Sequence, residues 1–298
     1  HLQFWGALTM GSEGSQMTEL AELAEAGVIG FTDGRAIANL GLLRRLLEYV
    51  KPLNKPVALM ASDRQLRGNG TMREGKLSIR YGLPGNPTVS ETAALAAILE
   101  VVAEVGTPVH LMRLSTARSV ELIGNAKSRG IPVTASTTWM HLLLETKALS
   151  SYDPSLHLHP PLGNPDDRMA LVEGVKTGVI DAIAIDHIAY TYEEKTVAFS
   201  EAPSGAIGLE LALPLLWQTF VESGEWTALE LWKALSLSPQ KCLYQQPTRC
   251  QVGENAELVL FDPQKTWTAN PTSLKSMGEN TPWLNNLLTG KVVRTWNN

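Results

Sequence analysis

Two short apolar runs in this chain end in residues that can do chemistry. Val109-His110-Leu111-Met112 leads into Arg113, Ser115 and Thr116, and Ile183-Ala184-Ile185 leads into Asp186 and His187. An apolar run closing on His, Arg or Asp is how the C-terminal mouth of a parallel strand reads, and parallel α/β folds place their sites there. A carboxylate such as Asp186 can carry a proton or hold a metal. The Arg113 guanidinium stays protonated and does neither. Asp33 closes a third run, Gly30-Phe31-Thr32, but Asp33-Gly34 is equally a turn signal. His110 reads as a hydrogen-bonded structural histidine, and His141 as a helix-start residue. His187, next to Asp186 on a strand, should point to the opposite face. His157 and His159 share one face if their segment is extended, with a surface loop as their setting.

The elements that must position these residues alternate between strand and helix. Strand-like segments are 4–9, 28–32, 56–61, 108–114, 132–136 and 179–185, and helical ones 17–26, 39–50, 90–105, 117–129, 141–149, 166–176 and 227–244. The segment 64–87 reads as a polar, Gly-rich excursion. Such alternation implies βαβ units and a parallel sheet. About six strand–helix units are legible, where a closed (β/α)8 barrel needs eight. Two readings follow: an open doubly wound sheet, or a barrel whose first two strands lie upstream of His1. Beyond residue 244 the texture changes to a turn at Gly253-Glu254-Asn255, a strand through Phe261 and a last strand around 291–295. This divides the chain into a barrel portion, 1–244, and a small β appendage, 245–298. Trp5, Trp139 and Trp217 read as core.

Composition narrows the function classes. Hydrophobic residues make up 44% and charged ones 18% of the 298 residues, which suits a globular protein with a large core. Lys and Arg number 25 against 30 Asp and Glu, and no basic stripe stands out, so a nucleic-acid footprint is not expected. No apolar stretch reaches the ~20 residues of a membrane helix. With no signal-like start and only Cys242 and Cys250, the cytoplasm is the expected compartment and a disulfide framework is not expected.

A further set of motifs runs in order along almost the whole chain. It comprises Gly6-Ala7-Leu8-Thr9, Gly30-Phe31-Thr32-Asp33-Gly34, Glu74-Gly75 with Gly82-Leu83-Pro84-Gly85, and Val109-His110 with Ser115-Thr116. It continues through His141-Leu142-Leu143, Pro160-Pro161-Leu162, Ile185-Asp186-His187, Ala202-Pro203 with Gly205, Gly208-Leu209-Glu210 and Asn280-Thr281-Pro282. In this the chain resembles the dihydroorotases of the cyclic amidohydrolase family. The resemblance favours the amidohydrolase-type TIM (β/α)8 barrel, with its first strands missing from this chain, plus part of a small C-terminal β domain.

The family carries zinc at the barrel mouth, where the metal activates a water and polarises the ring amide. Asp186 matches the catalytic acid/base and metal ligand of the last strand, and Asp33 a supporting metal ligand. Met60 and Arg113 stand where the family has ligand histidines, and neither suits zinc. His159, His187, Tyr190 and Gly205 fall at or beside substrate-contacting positions, of which His159 and Tyr190 are replacements. The resemblance therefore implies a dihydroorotase-like hydrolase acting on a dihydroorotate-like ring in pyrimidine biosynthesis, impaired in turnover, with zinc partial or lost. Two alternatives stay open. One is an inactive homologue serving as structural partner of aspartate transcarbamoylase; the other is a hydantoinase- or allantoinase-like amidase. A homo-oligomer is also allowed. Without zinc, Arg113 would bridge Asp33 and Asp186 and replace the metal's charge.

Overall fold

The computed structural model describes residues 2–246, 251–252 and 256–297. Ten strands are described among them. In chain order they are β1 (Trp5–Gly6), β2 (Gly30–Phe31), β3 (Val57–Met60), β4 (Met72–Arg73), β5 (Gly85–Asn86), β6 (Val109–Met112), β7 (Val133–Thr138), β8 (Ala182–Ala184), β9 (Glu257–Thr268) and β10 (Leu287–Asn297). Six form one parallel sheet in the order β1-β2-β3-β6-β7-β8. Strands in chain order, all parallel and joined by helices, are the arrangement of a (β/α) barrel wall rather than of a doubly wound sheet, where the order reverses. β3 is buried at every residue, as a strand covered on both faces must be.

The helices outside this wall follow their sequence signals. In Leu40–Val50 the buried residues are Leu42, Leu43, Leu46, Leu47 and Val50, one stripe of the helix. Asn39 caps it by accepting the Leu42 N–H at 3.0 Å. Thr116 caps Ala117–Ser128 through the Ser119 N–H at 3.1 Å. Asp167, in the first turn of Pro165–Thr177, accepts the N–H of Asn164 at 2.9 Å and of Ala117 at 2.8 Å, so one carboxylate ties two helix starts together. The core is made of two clusters whose strand residues share one face of the wall. One cluster joins Phe31, Leu46, Leu59 and Leu111, and the other joins Trp139, Leu162, Ile183 and Phe220.

Several elements differ from the sequence reading. The excursion 64–87 holds the helices Arg64–Arg67 and Lys76–Tyr81 and the parallel pair β4–β5. The segment 141–149 divides into a helix, Trp139–Leu143, and a 3₁₀ turn, Thr146–Ser151. A helix at Ala212–Leu216, continuing as a π-helix through Trp217–Val221, had no sequence signal. Trp139 is core at 1% exposure, but Trp5 is 37% exposed on the edge strand β1. The C-terminal unit is a long antiparallel hairpin, β9–β10, with two register shifts. It far exceeds the strand read at 291–295, and β10 rests on Ala212–Leu216. Cys242 is a buried free thiol; Cys250 and the turn Gly253-Glu254-Asn255 lie outside the described residues. Among the described residues no helix is long and apolar enough to cross a membrane.

Candidate active site

Three strand ends and one loop converge at the mouth of the wall. Met60 is the last residue of β3, Arg113 follows β6, and Asp186 lies two residues beyond β8. Arg113 and Asp186 both adopt left-handed backbone, at φ 56° and 49°. For residues carrying a Cβ this costs roughly 1–2 kcal/mol each. The turn lets the chain leave the strand while the two side chains meet.

Arg113 Nη1 lies 3.3 Å from each Asp186 carboxylate oxygen. Its Nη2 donates to the Gly34 carbonyl at 2.8 Å and sits 3.2 Å from Met60 Sδ. Arg113 Nε is buried without a partner. The side chains are 14% and 31% exposed, so the pair is shielded on the arginine side and open on the aspartate side. Chemically this is a fixed ion pair: the guanidinium engages both oxygens that would carry a proton or a metal.

Asp33 is not part of that pair. Its Oδ1 accepts the Thr9 N–H at 2.9 Å and its Oδ2 the Thr9 hydroxyl at 2.6 Å. Thr9 Oγ1 in turn accepts the Gly14 N–H at 2.8 Å. Asp33 therefore ties the loop after β1 to the loop after β2.

The histidines are distributed among separate partners. His110 faces an inner cavity of about 430 Å³ and binds Thr134 Oγ1 and Ser136 Oγ, both at 2.9 Å. Burial pulls its pKa down to about 4. His141 sits between Thr138 Oγ1 at 2.7 Å and the carbonyls of Pro160 and Pro161, and burial likewise brings it to about 4. His157 bonds the Ala202 carbonyl at 2.6 Å and packs against Phe199, so it makes no pair with His159. His159 takes Arg67 Nη1 at 2.9 Å on Nε2. Burial first, then the charges of Arg67 and Arg113, lower its pKa to about 3. The rings of His110, His141 and His159 are neutral near pH 7.

The remaining sequence-named positions gather beside the β8 end. His187 Nδ1 accepts the backbone N–H of Gly208 at 3.1 Å, which fixes its ring. The Tyr190 hydroxyl donates to the Ser204 carbonyl at 3.2 Å, and Lys195 stands over its ring. Gly205, at φ 133°, has no room for a side chain: a Cβ there would meet Ile188 at 2.8 Å. Asn280 binds the backbone of Ile188, Tyr190 and Gly205 together, a role its place in a sequence motif does not specify.

Two groups near the mouth have no counterpart in the sequence reading. Arg64, Arg67 and Arg35 line a cavity of about 560 Å³ with Met60 and His159. Behind Arg113, buried Glu91 accepts from Ser115 N at 3.0 Å, from the Ser115 hydroxyl, from Thr116 Oγ1 at 3.4 Å and from Ser119 Oγ at 2.6 Å. The signals were slight: an Arg-x-x-Arg spacing, and a Glu in the first turn of a largely apolar helix.

A family model for dihydro-orotase-like proteins matches residues 2–119. A probable dihydroorotase-like protein from Synechocystis sp. is 51% identical over 298 residues, covering 97% of this chain and 66% of that protein. A dihydroorotase from Pelotomaculum thermopropionicum is 37% identical over 286 residues, covering 96% of this chain and 67% of that protein. Among solved structures, an L-hydantoinase (dihydropyrimidinase) from Arthrobacter aurescens superposes with a TM-score of 0.84 at 23% identity, over 99% of this chain and 68% of that one. The fold is thus that of an α/β amidohydrolase barrel with a small C-terminal antiparallel β unit. The chain belongs to the dihydroorotase-like family. It spans about two thirds of the length of the relatives it matches.

Amidohydrolases generally use a metal, most often zinc. The donor set at this mouth does not fit one. Arg113 occupies the space facing Asp186, Met60 offers a thioether, and Asp33 is committed to Thr9. Among the described residues no group of three or more His, Cys, Asp or Glu could hold a metal ion.

Proposed function

We propose that this chain is a cytoplasmic dihydroorotase-like protein in which a fixed ion pair stands in for the zinc centre, leaving ring hydrolysis impaired. One observation carries the reading: Arg113 reaches both oxygens of Asp186, the residue that matches the family's proton carrier. A carboxylate with both oxygens turned to a guanidinium is occupied where it would meet a substrate or a metal, and a protonated guanidinium repels a cation placed beside it. In this reading Asp186 keeps its place as the vestigial acid/base and ligand. Asp33 supports the loops, and His159, His187, Tyr190 and Gly205 shape the ring-binding wall.

The test is elemental analysis and a dihydroorotate hydrolysis assay on the whole protein. The expected result is less than one zinc per chain and no turnover. Stoichiometric zinc with turnover overturns the reading. With the expected zinc-poor result, the double variant Met60→His/Arg113→His should gain zinc, since it frees Asp186 and restores two imidazole donors.

The same ion pair favours a second reading, a non-catalytic structural partner of aspartate transcarbamoylase. Co-purification of the whole protein with that enzyme supports it. Independent migration of the two on gel filtration counts against it.

A further inference from the structure

The cavity of about 560 Å³ at the mouth is walled by three separate loops. Ser12 and Glu13 come from the loop after β1, Gly34, Arg35 and Ala36 from that after β2, and Ser62, Arg64 and Arg67 from that after β3; His159 closes the far side. Its charges do not balance. Arg35 and Arg64 have no ion-pair partner among the described residues, and Glu13 is the one carboxylate on the lining. The nearby carboxylate of Asp63 is spent on backbone, accepting Gln65 N at 2.8 Å and Leu66 N at 2.9 Å. Arg67 is half-buried and has only a neutral ring against it, at His159. Burial and the charge of Arg64 both weigh against its protonated form. Arg113 adds a fourth guanidinium just behind Met60 and Gly34, although Asp186 offsets it.

Like charges gathered around a concave, partly desolvated space raise one another's energy, and an anion in that space relieves them. Among the described residues the hydroxyls of Ser12 and Ser62 are also without partners, so the lining offers donors from several directions and little acceptor capacity. A carboxylate presents two oxygens in one plane and is satisfied by a single guanidinium fork. A tetrahedral phosphate presents oxygens to several walls at once. The volume exceeds that of a bare phosphate and lies within the range of small-molecule sites.

We infer that this cavity is a binding site for the phosphate group of a small phosphomonoester, gripped by Arg35, Arg64 and Arg67 with the hydroxyls of Ser12 and Ser62. The cavity shares Met60 and His159 with the mouth described above, but its unpaired charges come from Arg35, Arg64 and Arg67, and anion binding is read separately from zinc content and turnover.

The experiment is isothermal titration of the whole protein with methyl phosphate, inorganic phosphate and succinate at fixed ionic strength. Saturable one-to-one binding of methyl phosphate at least as tight as inorganic phosphate, with succinate weaker than both, is the expected result. Arg64→Met and Arg35→Met alter exposed, unpaired side chains and leave the fold intact; each should weaken methyl phosphate by about tenfold or more. Arg67→Met should do the same. Inorganic phosphate bound tighter than methyl phosphate overturns the monoester and leaves free phosphate as the ligand. Equal or tighter succinate binding overturns the phosphate preference. Binding unchanged in Arg64→Met and Arg35→Met, or no binding to any probe, overturns the site.

Discussion

Two arginine–carboxylate pairs meet at the stretch 113–115 of this chain and are built on opposite plans. The inner pair, Arg73 with Glu91, is sealed, at 1% and 4% exposure. Its charged atoms stay 4.0 Å apart, joined through the Ser115 hydroxyl, which accepts from Arg73 at 2.6 Å and donates to Glu91. Further donors from Ser115, Thr116 and Ser119 complete the carboxylate. The outer pair, Arg113 with Asp186, meets directly, is partly open, and rests on two left-handed residues. The inner pair is a clamp: it fixes the stretch Ser115–Ser119 that follows Arg113 and so holds the outer pair in place. The outer pair sits where chemistry would occur. Desolvated charges need many partners to be tolerated, and a half-open mouth can hold an ion pair with fewer.

The largest effect is expected at the clamp. Glu91→Ala leaves Arg73 buried without a counter-charge and removes the acceptor of several donors, so stability should fall by about 3–5 kcal/mol. Urea denaturation of the whole protein measures it. A loss no larger than that of Asp186→Ala would erase the distinction between the two pairs. Arg73→Met should cost less than Glu91→Ala, because the carboxylate keeps its hydroxyl and backbone donors.

Acid should act next, through the buried neutral histidines on both sides of this boundary. His110 and His141 are lowered to about 4 by burial, from 6.5. Between these values the unfolded chain binds protons that the folded chain refuses. The stability they contribute is complete above about pH 6.5 and is lost as the pH falls toward 4. Each should account for about 2 kcal/mol between pH 6.5 and 5. Denaturation midpoints at pH 7 and pH 5 check this, and His141→Gln should flatten the dependence. An unchanged midpoint would mean that these rings are protonated in the fold.

How much of this was legible in the sequence depends on whether the cause is local. The helix at 40–50 announces itself because its leucine stripe and its Asn39 cap lie within one stretch of chain. The strand ends at Arg113 and Asp186 were legible because each closes an apolar run, whereas Met60 was placed only through the family resemblance. The helix at 212–216 was not, since Pro214 reads as a breaker, although a first turn tolerates it. The commitment of Asp33 to Thr9 was hidden too: Asp33-Gly34 has the same appearance whether the carboxylate faces the mouth or ties two loops. Arg35, Arg64 and Arg67 belong to one cavity only after three loops fold, and no spacing in the chain joins them. Nor does a sequence show that a residue such as Arg113 lies at positive φ, because that conformation is imposed by what surrounds it.

The smallest predicted effect is also the one that isolates the backbone of the outer pair. At φ 56° the Cβ of residue 113 is strained, and Asp186 repays the strain only when an arginine side chain reaches it. Arg113→Ala keeps the strain and loses the ion pair. Arg113→Gly loses the ion pair and relieves the strain as well. Glycine should therefore be more stable than alanine at this position by about 1 kcal/mol, the reverse of the order at ordinary positions. Denaturation midpoints of the two variants decide it. Alanine equal to or above glycine would mean that residue 113 returns to ordinary backbone once its guanidinium is gone. The left-handed turn would then be a product of the ion pair and not of the clamp behind it, and the ranking of the two pairs would invert.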